Sequence, residues 1–202
     1  GGTVLVKDIY PGIGNSSPSN LTAIGSTLYF SANDGTNGSE LWKSDGIEGG
    51  TVIVKDIYTG SSGSSVSYLT VMGTALYFLA DDGTSGEELW KSDGTEVGTT
   101  MITRTGVSGG INEGADSSSP SNLLAIGTTL YFMATNGIAE NGYELWKSDG
   151  TEAGTEMVED IFTGTNDSAP ESLTNVNGML YFSAEDPTYG IELFKLQFAL
   201  TY

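Results

Sequence analysis

The 202-residue chain contains no cysteine and no histidine, and only seven of its residues are Lys or Arg. Without cysteine there is neither a disulfide framework nor a thiolate metal site, whatever the redox compartment. Without histidine, the usual general base near neutral pH and the usual transition-metal ligand are both missing. The few cations stand against 26 acidic residues, a formal charge of −19. Nucleic acid is excluded as a partner, because phosphate binding needs clustered Lys and Arg. Nor does any apolar run reach the ~20 residues of a helical membrane span. Such acidity favours solubility, cations and basic partner surfaces. It would also suit a disordered chain, but regular β-branched and aromatic clusters argue for a folded one. Gly1-Gly2 is neither a translation start nor a signal peptide, which implies a processed or excised chain.

What is present is a repeat. Glu40-Leu41-Trp42-Lys43-Ser44-Asp45-Gly46 returns at 88–95 and 144–151, and in worn form as Glu192-Leu193-Phe194-Lys195. Upstream, Leu28-Tyr29-Phe30 recurs at Leu76, Leu130 and Leu180, with spacings of 48, 54 and 50 residues. That is the period of propeller-type repeats. Downstream, the β-branched run 51–57 is matched by 3–9, 99–105 and 155–161. Gly25-Ser26, Gly73-Thr74, Gly127-Thr128 and Asn177-Gly178 join the first two apolar segments of each unit and suit the positive φ of tight hairpins.

Each unit therefore reads as four short antiparallel strands, a to d, starting in the first copy at Leu21, Leu28, Glu40 and Thr51. Radial repetition of such a sheet predicts an all-β fold, a four-bladed β-propeller occupying 1–202 as one domain. Its repeats run over about 21–57, 69–105, 123–161 and 173–202, the last completed by 3–9. The displaced strand d predicts that residues 3–9 pair in the last blade and close the ring. Beyond Lys195, alternating Phe198, Leu200 and Tyr202 predict an over-long strand with an apolar face. It either covers the seam or forms a self-assembly edge that pairs with another chain.

Glu-Leu-Trp-Lys-Ser-Asp-Gly-Thr with its trailing Glu-x-x-Gly-Thr resembles the ELWxxDGT repeat family of bacterial secreted and surface proteins. Copies 88–95 and 144–151 match the core fully; the first has Ile47 in place of Thr, and the fourth has Phe194 and no Ser-Asp-Gly turn. The resemblance implies an extracellular or cell-surface setting, often within larger multi-repeat proteins. It carries over no catalytic residues.

Trp42, Trp90, Trp146 and Phe194 sit mid-strand beside Leu and read as packing between blades rather than as a sugar-stacking series. Glu40, Glu88, Glu144 and Glu192 are equivalent to one another, whereas glycosidase chemistry needs one differentiated carboxylate pair. They read as a structural device that accepts hydrogen bonds from loop backbone, and the chain as no enzyme. Asp45, Asp93 and Asp149 explain themselves as turn residues. The turn carboxylates Asp34, Asp82 and Asp186 are the candidate Ca²⁺ ligands. Each loop offers only one or two carboxylates against the 6–8 oxygens that Ca²⁺ takes, and charge screening is the competing account of any Ca²⁺ effect.

All length variation falls in the d-to-a and b-to-c loops. The step from 105 to 123 is 18 residues where its counterparts are 12, and that from 132 to 144 is 12 where they are 10. Both insertions belong to the third unit and should be neighbours on one face. They offer Asn112, Glu113, Asp116, Asn136, Glu140, Asn141 and Tyr143, a polar set with one aromatic that suits a sugar or a protein loop; the alternative is solvated filler. The expectation is a non-catalytic interaction module outside the cell. Its partner is a protein or glycan on a surface, or further copies in an oligomer or filament. A lectin-like or calcium-binding propeller is the alternative.

Overall fold

The computed structural model describes residues 2–104, 106, 110–137 and 142–196. Among these, four antiparallel sheets follow one another along the chain. Sheet one is β1 (Ser19–Ile24), β2 (Thr27–Asn33), β3 (Ser39–Ser44) and β4 (Val52–Lys55). Sheet two is β5 (Ser67–Met72), β6 (Ala75–Asp81), β7 (Glu87–Ser92) and β8 (Thr100–Met101). Sheet three is β9 (Ser121–Ile126), β10 (Thr129–Ala134), β11 (Glu144–Ser148) and β12 (Glu156–Glu159). Sheet four has three strands, β13 (Glu171–Val176), β14 (Met179–Asp186) and β15 (Gly190–Lys195).

Local chemistry sets this pattern. The first hairpin of each sheet turns on Gly25, Gly73, Gly127 or Asn177, all at φ between 53° and 63°. Gly meets no Cβ penalty there, and Asn is among the few side chains that tolerate it. The middle strands then register aromatic on aromatic, Phe30 opposite Trp42, Phe78 opposite Trp90, Phe132 opposite Trp146 and Phe182 opposite Phe194. Such cross-strand pairs are the unit of sheet stabilisation. Strand alternation sends Leu76 and Phe78 toward sheet one and Tyr77 toward sheet three, so each sheet is apolar on both faces. In every first strand one residue, Asn20, Tyr68, Asn122 or Ser172, takes a left-handed φ near 55° where the pairing register shifts. Asn20 and Asn122 spend their side-chain amides on the carbonyls of Val66 and Pro170 in the following sheet.

Two expectations are corrected. Residues 3–9 form no strand and do not complete sheet four. They lie along sheet one, with Lys7 Nζ donating to the Thr51 carbonyl at 2.8 Å and Ile9 packed on Phe30, Ala32 and Trp42. The first strands touch in series, β1 on β5, β5 on β9 and β9 on β13, but β13 does not return to β1 in the same way. With the sheets not closed into a ring, β15 has, among the described residues, no strand beside its outer edge to ladder with. The fourth glutamate also departs from its counterparts, since Glu192 is exposed. And β15 ends at Lys195, with Leu196 N still bonded to the Leu180 carbonyl; Phe198, Leu200 and Tyr202 lie outside the described residues.

Candidate functional site

Glu40, Glu88 and Glu144 are the chemically most unusual groups of the molecule, each 0% exposed in the third strand of its sheet. Glu40 accepts from Ile57 N at 3.0 Å, Tyr58 N at 3.3 Å and Ser64 Oγ at 2.6 Å. Glu88 accepts from Ile111 N, Asn112 N, Ser118 N and Ser118 Oγ at 2.6–3.4 Å. Glu144 accepts from Ile161 N at 3.1 Å, Ser168 N at 2.9 Å and Ser168 Oγ. Burial pushes the Glu40 and Glu88 carboxyls up to about 7 against the lowering pull of these donors; Glu144 is raised for the same reason. A raised carboxyl in a cleft would suggest a general acid. Here the oxygens are saturated by the loop between the fourth strand and the next sheet, and the group clips that loop to the sheet. The indole rings beside them are likewise buried, and the N–H groups of Trp42, Trp90 and Trp146 have no partner among the described residues. They present no open face for a sugar.

The two variable loop classes do share one side. Ser64 N bonds the Ser39 carbonyl, Ser119 N that of Glu87, and Ala169 N that of Tyr143, each tying a connecting loop to the start of a third strand. The insertions of the third unit meet as well, because a Cβ on Gly137 would overlap Asn112 Oδ1. The predicted polar set nevertheless divides. Asn112 is buried and spends its amide on the Ser117 carbonyl and its oxygen on Glu113 N. Asn136 is also buried. Glu113 and Asp116 are exposed. Tyr143 lines a cleft of about 440 Å³ together with Tyr68, Glu87, Ser119, Pro120, Ser121 and Met133. Glu140 and Asn141 lie outside the described residues. Sequence reasoning missed Tyr68, Glu87 and the Ser119–Pro120 wall. The signal was there at Tyr68, an aromatic at the strand position where Asn20, Asn122 and Ser172 stand.

The turn carboxylates are engaged locally. Asp34 accepts from Thr36 N, Asn37 N and Asn37 Nδ2; Asp82 accepts from the amides and hydroxyls of Thr84 and Ser85; Asp186 accepts from Thr188 N and Tyr189 N. Partial burial works to raise Asp34 and Asp82, but the amide donors outweigh it and hold both carboxyls below their usual range. Among the described residues no cluster of three or more metal-ligating side chains forms.

No protein-family model matches the chain, and no curated protein matches it. Among solved structures it is similar to the computationally designed Ika8 protein, with 15% identity over 90% of this chain and 59% of that one, at a TM-score of 0.41. A puromycin hydrolase matches at 14% identity over 94% and 38% of the two chains, TM-score 0.35. The GH43 endo-arabinanase of Bacillus licheniformis matches at 18% identity over 89% and 72%, TM-score 0.33. The chain thus spans less than two thirds of each of the first two.

Proposed function

We propose that the four sheets are blades of a β-propeller and that the chain is a non-catalytic interaction module of a bacterial surface or secreted assembly. The observation that carries this reading is the outer edge of sheet four. Ile191 and Leu193 on β15 are 74% and 75% exposed, on a strand whose counterparts are buried. Apolar residues on an unpaired strand edge mark a surface made to be covered. The use of the buried glutamates as loop clips supports the non-catalytic half of the proposal, since it leaves no free, differentiated acid–base pair at those positions. Among the described residues no helix is long and apolar enough to cross a membrane. The ELWKSDGT copies, through their resemblance to surface-protein repeats, support the extracellular setting.

A second reading is favoured by the cleft between sheets two and three. Its volume falls in the range of small-ligand sites, and Tyr68, Tyr143, Glu87, Ser67 and Ser119 suit a sugar. Negative-stain microscopy of native material and glycan-array binding separate the two. Ordered assemblies support the first reading, and glycan binding lost in Tyr143→Ala supports the second. Turnover of a glycan that vanishes in Glu144→Gln, with the fold intact, would overturn both.

A further inference from the structure

We propose that the chain joins head to tail with a second copy: β15 and the outer face of sheet four receive residues 3–16 and the groove these form along sheet one. This rests on reading the sheets as successive blades, and it names the partner that the exposed edge takes.

Three interfaces inside the chain share one template. Tyr29 and Leu41 pack on Leu76, Phe78, Ala80 and Trp90. Tyr77 and Leu89 pack on Leu130, Phe132, Ala134 and Trp146. Tyr131 and Leu145 pack on Leu180, Phe182 and Ala184. Both halves of a fourth such interface are present and unjoined. Tyr181 and Leu193 look outward from sheet four, and Leu28, Phe30, Ala32 and Trp42 form one face of sheet one, on which Ile9 packs and where Phe30, Ala32 and Trp42 are already buried, while Val4 and Leu5 stay 86% and 80% exposed. An apolar groove of about 420 Å³ runs along that face past Leu5, Pro18, Leu21 and Leu28.

The polar contacts match position for position. Glu192 is the counterpart of Glu40, and the donors Ile57 N, Tyr58 N and Ser64 Oγ have their counterparts in Ile9 N, Tyr10 N and Ser16 Oγ. The receiving loop is already shaped, since Asn33 N bonds the Ser16 carbonyl as Asp81 N bonds that of Ser64, both at 2.9 Å. Lys7 Nζ reaches the Thr51 carbonyl at 2.8 Å as Lys55 Nζ reaches that of Thr99 at 2.8 Å, so residues 3–9 sit on sheet one as β4 sits on sheet two. What they lack, among the described residues, is a third strand beside them.

The Ser-Asp-Gly turn supplies an independent sign. Gly94 and Gly150 have the space of a Cβ filled by Tyr29 Oη and Tyr77 Oη of the preceding sheet, and their carbonyls accept Lys43 Nζ and Lys91 Nζ at 2.8 and 2.6 Å. Gly46 has the same left-handed φ and nothing within 4 Å of that position. Tyr181 and Lys195 are the pair that would fill it. β13 does not pack on β1 as the other first strands pack on one another, which leaves the two halves free to meet between chains. Such a heterologous contact makes a ring if its rotation closes and a filament if it does not.

The lack of native cysteine makes engineered thiols unambiguous. On β3 and β4, Lys43 pairs with Val52, so the equivalent pair across the new contact is Lys195 with Val4. Val4→Cys and Lys195→Cys chains, mixed under mild oxidation, should give a cross-linked species containing one of each. Adding Leu193→Asp to the Lys195→Cys chain should abolish it. Sedimentation of the unaltered chain should give the mass of two chains or more, falling to one in Leu193→Asp with an unchanged circular dichroism spectrum. An unaltered chain that stays single at high concentration would overturn the proposal. So would a Val4→Cys/Lys195→Cys double variant that links only within itself. If a glycan or another protein binds while the mass stays that of one chain, self-assembly falls and the interaction-module reading stands.

Discussion

Glu144 and Glu192 occupy the same register position on β11 and β15, opposite Ala134 and Ala184. One is fully buried and bound by Ile161 and Ser168, and the other lies in water. The strand pairing around them is alike, with Phe132 on Trp146 and Phe182 on Phe194, so the difference arises in the chain beyond each strand. Glu144 is enclosed by the fourth strand of its sheet and by the loop into the next, and among the described residues sheet four has neither. The glutamate pocket is thus a property of the junction between sheets, as are the buried faces of Tyr131 and Leu145. The repeat unit that a sequence period defines is not the unit that packs.

The strongest way to break the comparison is to delete the carboxylates one at a time. Glu88→Ala leaves Ile111 N, Asn112 N, Ser118 N and Ser118 Oγ without their acceptor. Unpaired buried donors cost about 1–3 kcal/mol each, so four of them should cost at least about 4 kcal/mol. That is a large share of the roughly 5–15 kcal/mol that holds an ordinary domain together. Glu192→Ala, measured by denaturant unfolding at dilution, should stay within about 0.5 kcal/mol. Equal losses would show that Glu192 is clipped in solution as the others are.

Packing gives the next effect in size. Trp90 is buried and carries Lys55 Nζ 5.7 Å from its ring, whereas Phe194 is half-buried and stacked on Phe182 at 5.7 Å. Trp90→Ala should cost about 3–5 kcal/mol. Phe194→Ala should cost less than half of that while the chain is single, and its cost should rise with protein concentration if the edge of β15 becomes covered.

Acidity sharpens the contrast further. The Glu40 and Glu88 carboxyls are raised from an ordinary 4.5 to about 7 by burial, so the folded state takes up their protons more readily than the unfolded one. Their contribution is fully present below about pH 4.5 and is lost as pH rises through about 7. Asp34 and Asp82 are depressed, so their contribution is present above the ordinary carboxylate range and is lost as pH falls through it. Melting temperature should therefore rise from pH 8 toward pH 5 and drop again in stronger acid. Glu88→Gln should flatten the upper slope.

How much of this is legible in the sequence depends on where each feature is made. Strand positions, hairpin joints and the loop-clipping role of Glu40, Glu88 and Glu144 are legible because turn residues and strand alternation act within a few positions of themselves. The exposure of Glu192 and the placement of residues 3–9 are not, since both depend on whether sheet four meets sheet one, a distance no local pattern encodes. The candidate loop site is half legible. Length variation locates the face, but burial separates Asn112 and Asn136 from Tyr143, and the wall contributed by Tyr68 comes from another sheet.

The smallest expected effect tests the comparison from its other side, with features that every sheet makes alone. Asp34 and Asp186 accept from amides of their own turns, at 2.8 Å from Thr36 and 2.7 Å from Thr188, in sheets one and four alike. A carboxylate that needs only its own hairpin should be indifferent to whether the next sheet is present. It should also be a poor Ca²⁺ ligand, because Asp34 already spends both oxygens on local donors and few other carboxylates stand near. Added Ca²⁺ should then raise the melting temperature only as far as it screens the net charge of −19, and Mg²⁺ at the same ionic strength should match it. Asp34→Asn and Asp186→Asn should lower stability by similar small amounts, about 0.5–1 kcal/mol for a weakened turn. A Ca²⁺-specific rise would point to a real site: bound at a hundredfold excess over its dissociation constant, the ion would add about 2.7 kcal/mol by linkage. If that rise disappeared in Asp34→Asn and Asp82→Asn but survived in Asp186→Asn, the site would belong to the junctions, and these turns would join the glutamates as features that no sheet makes by itself.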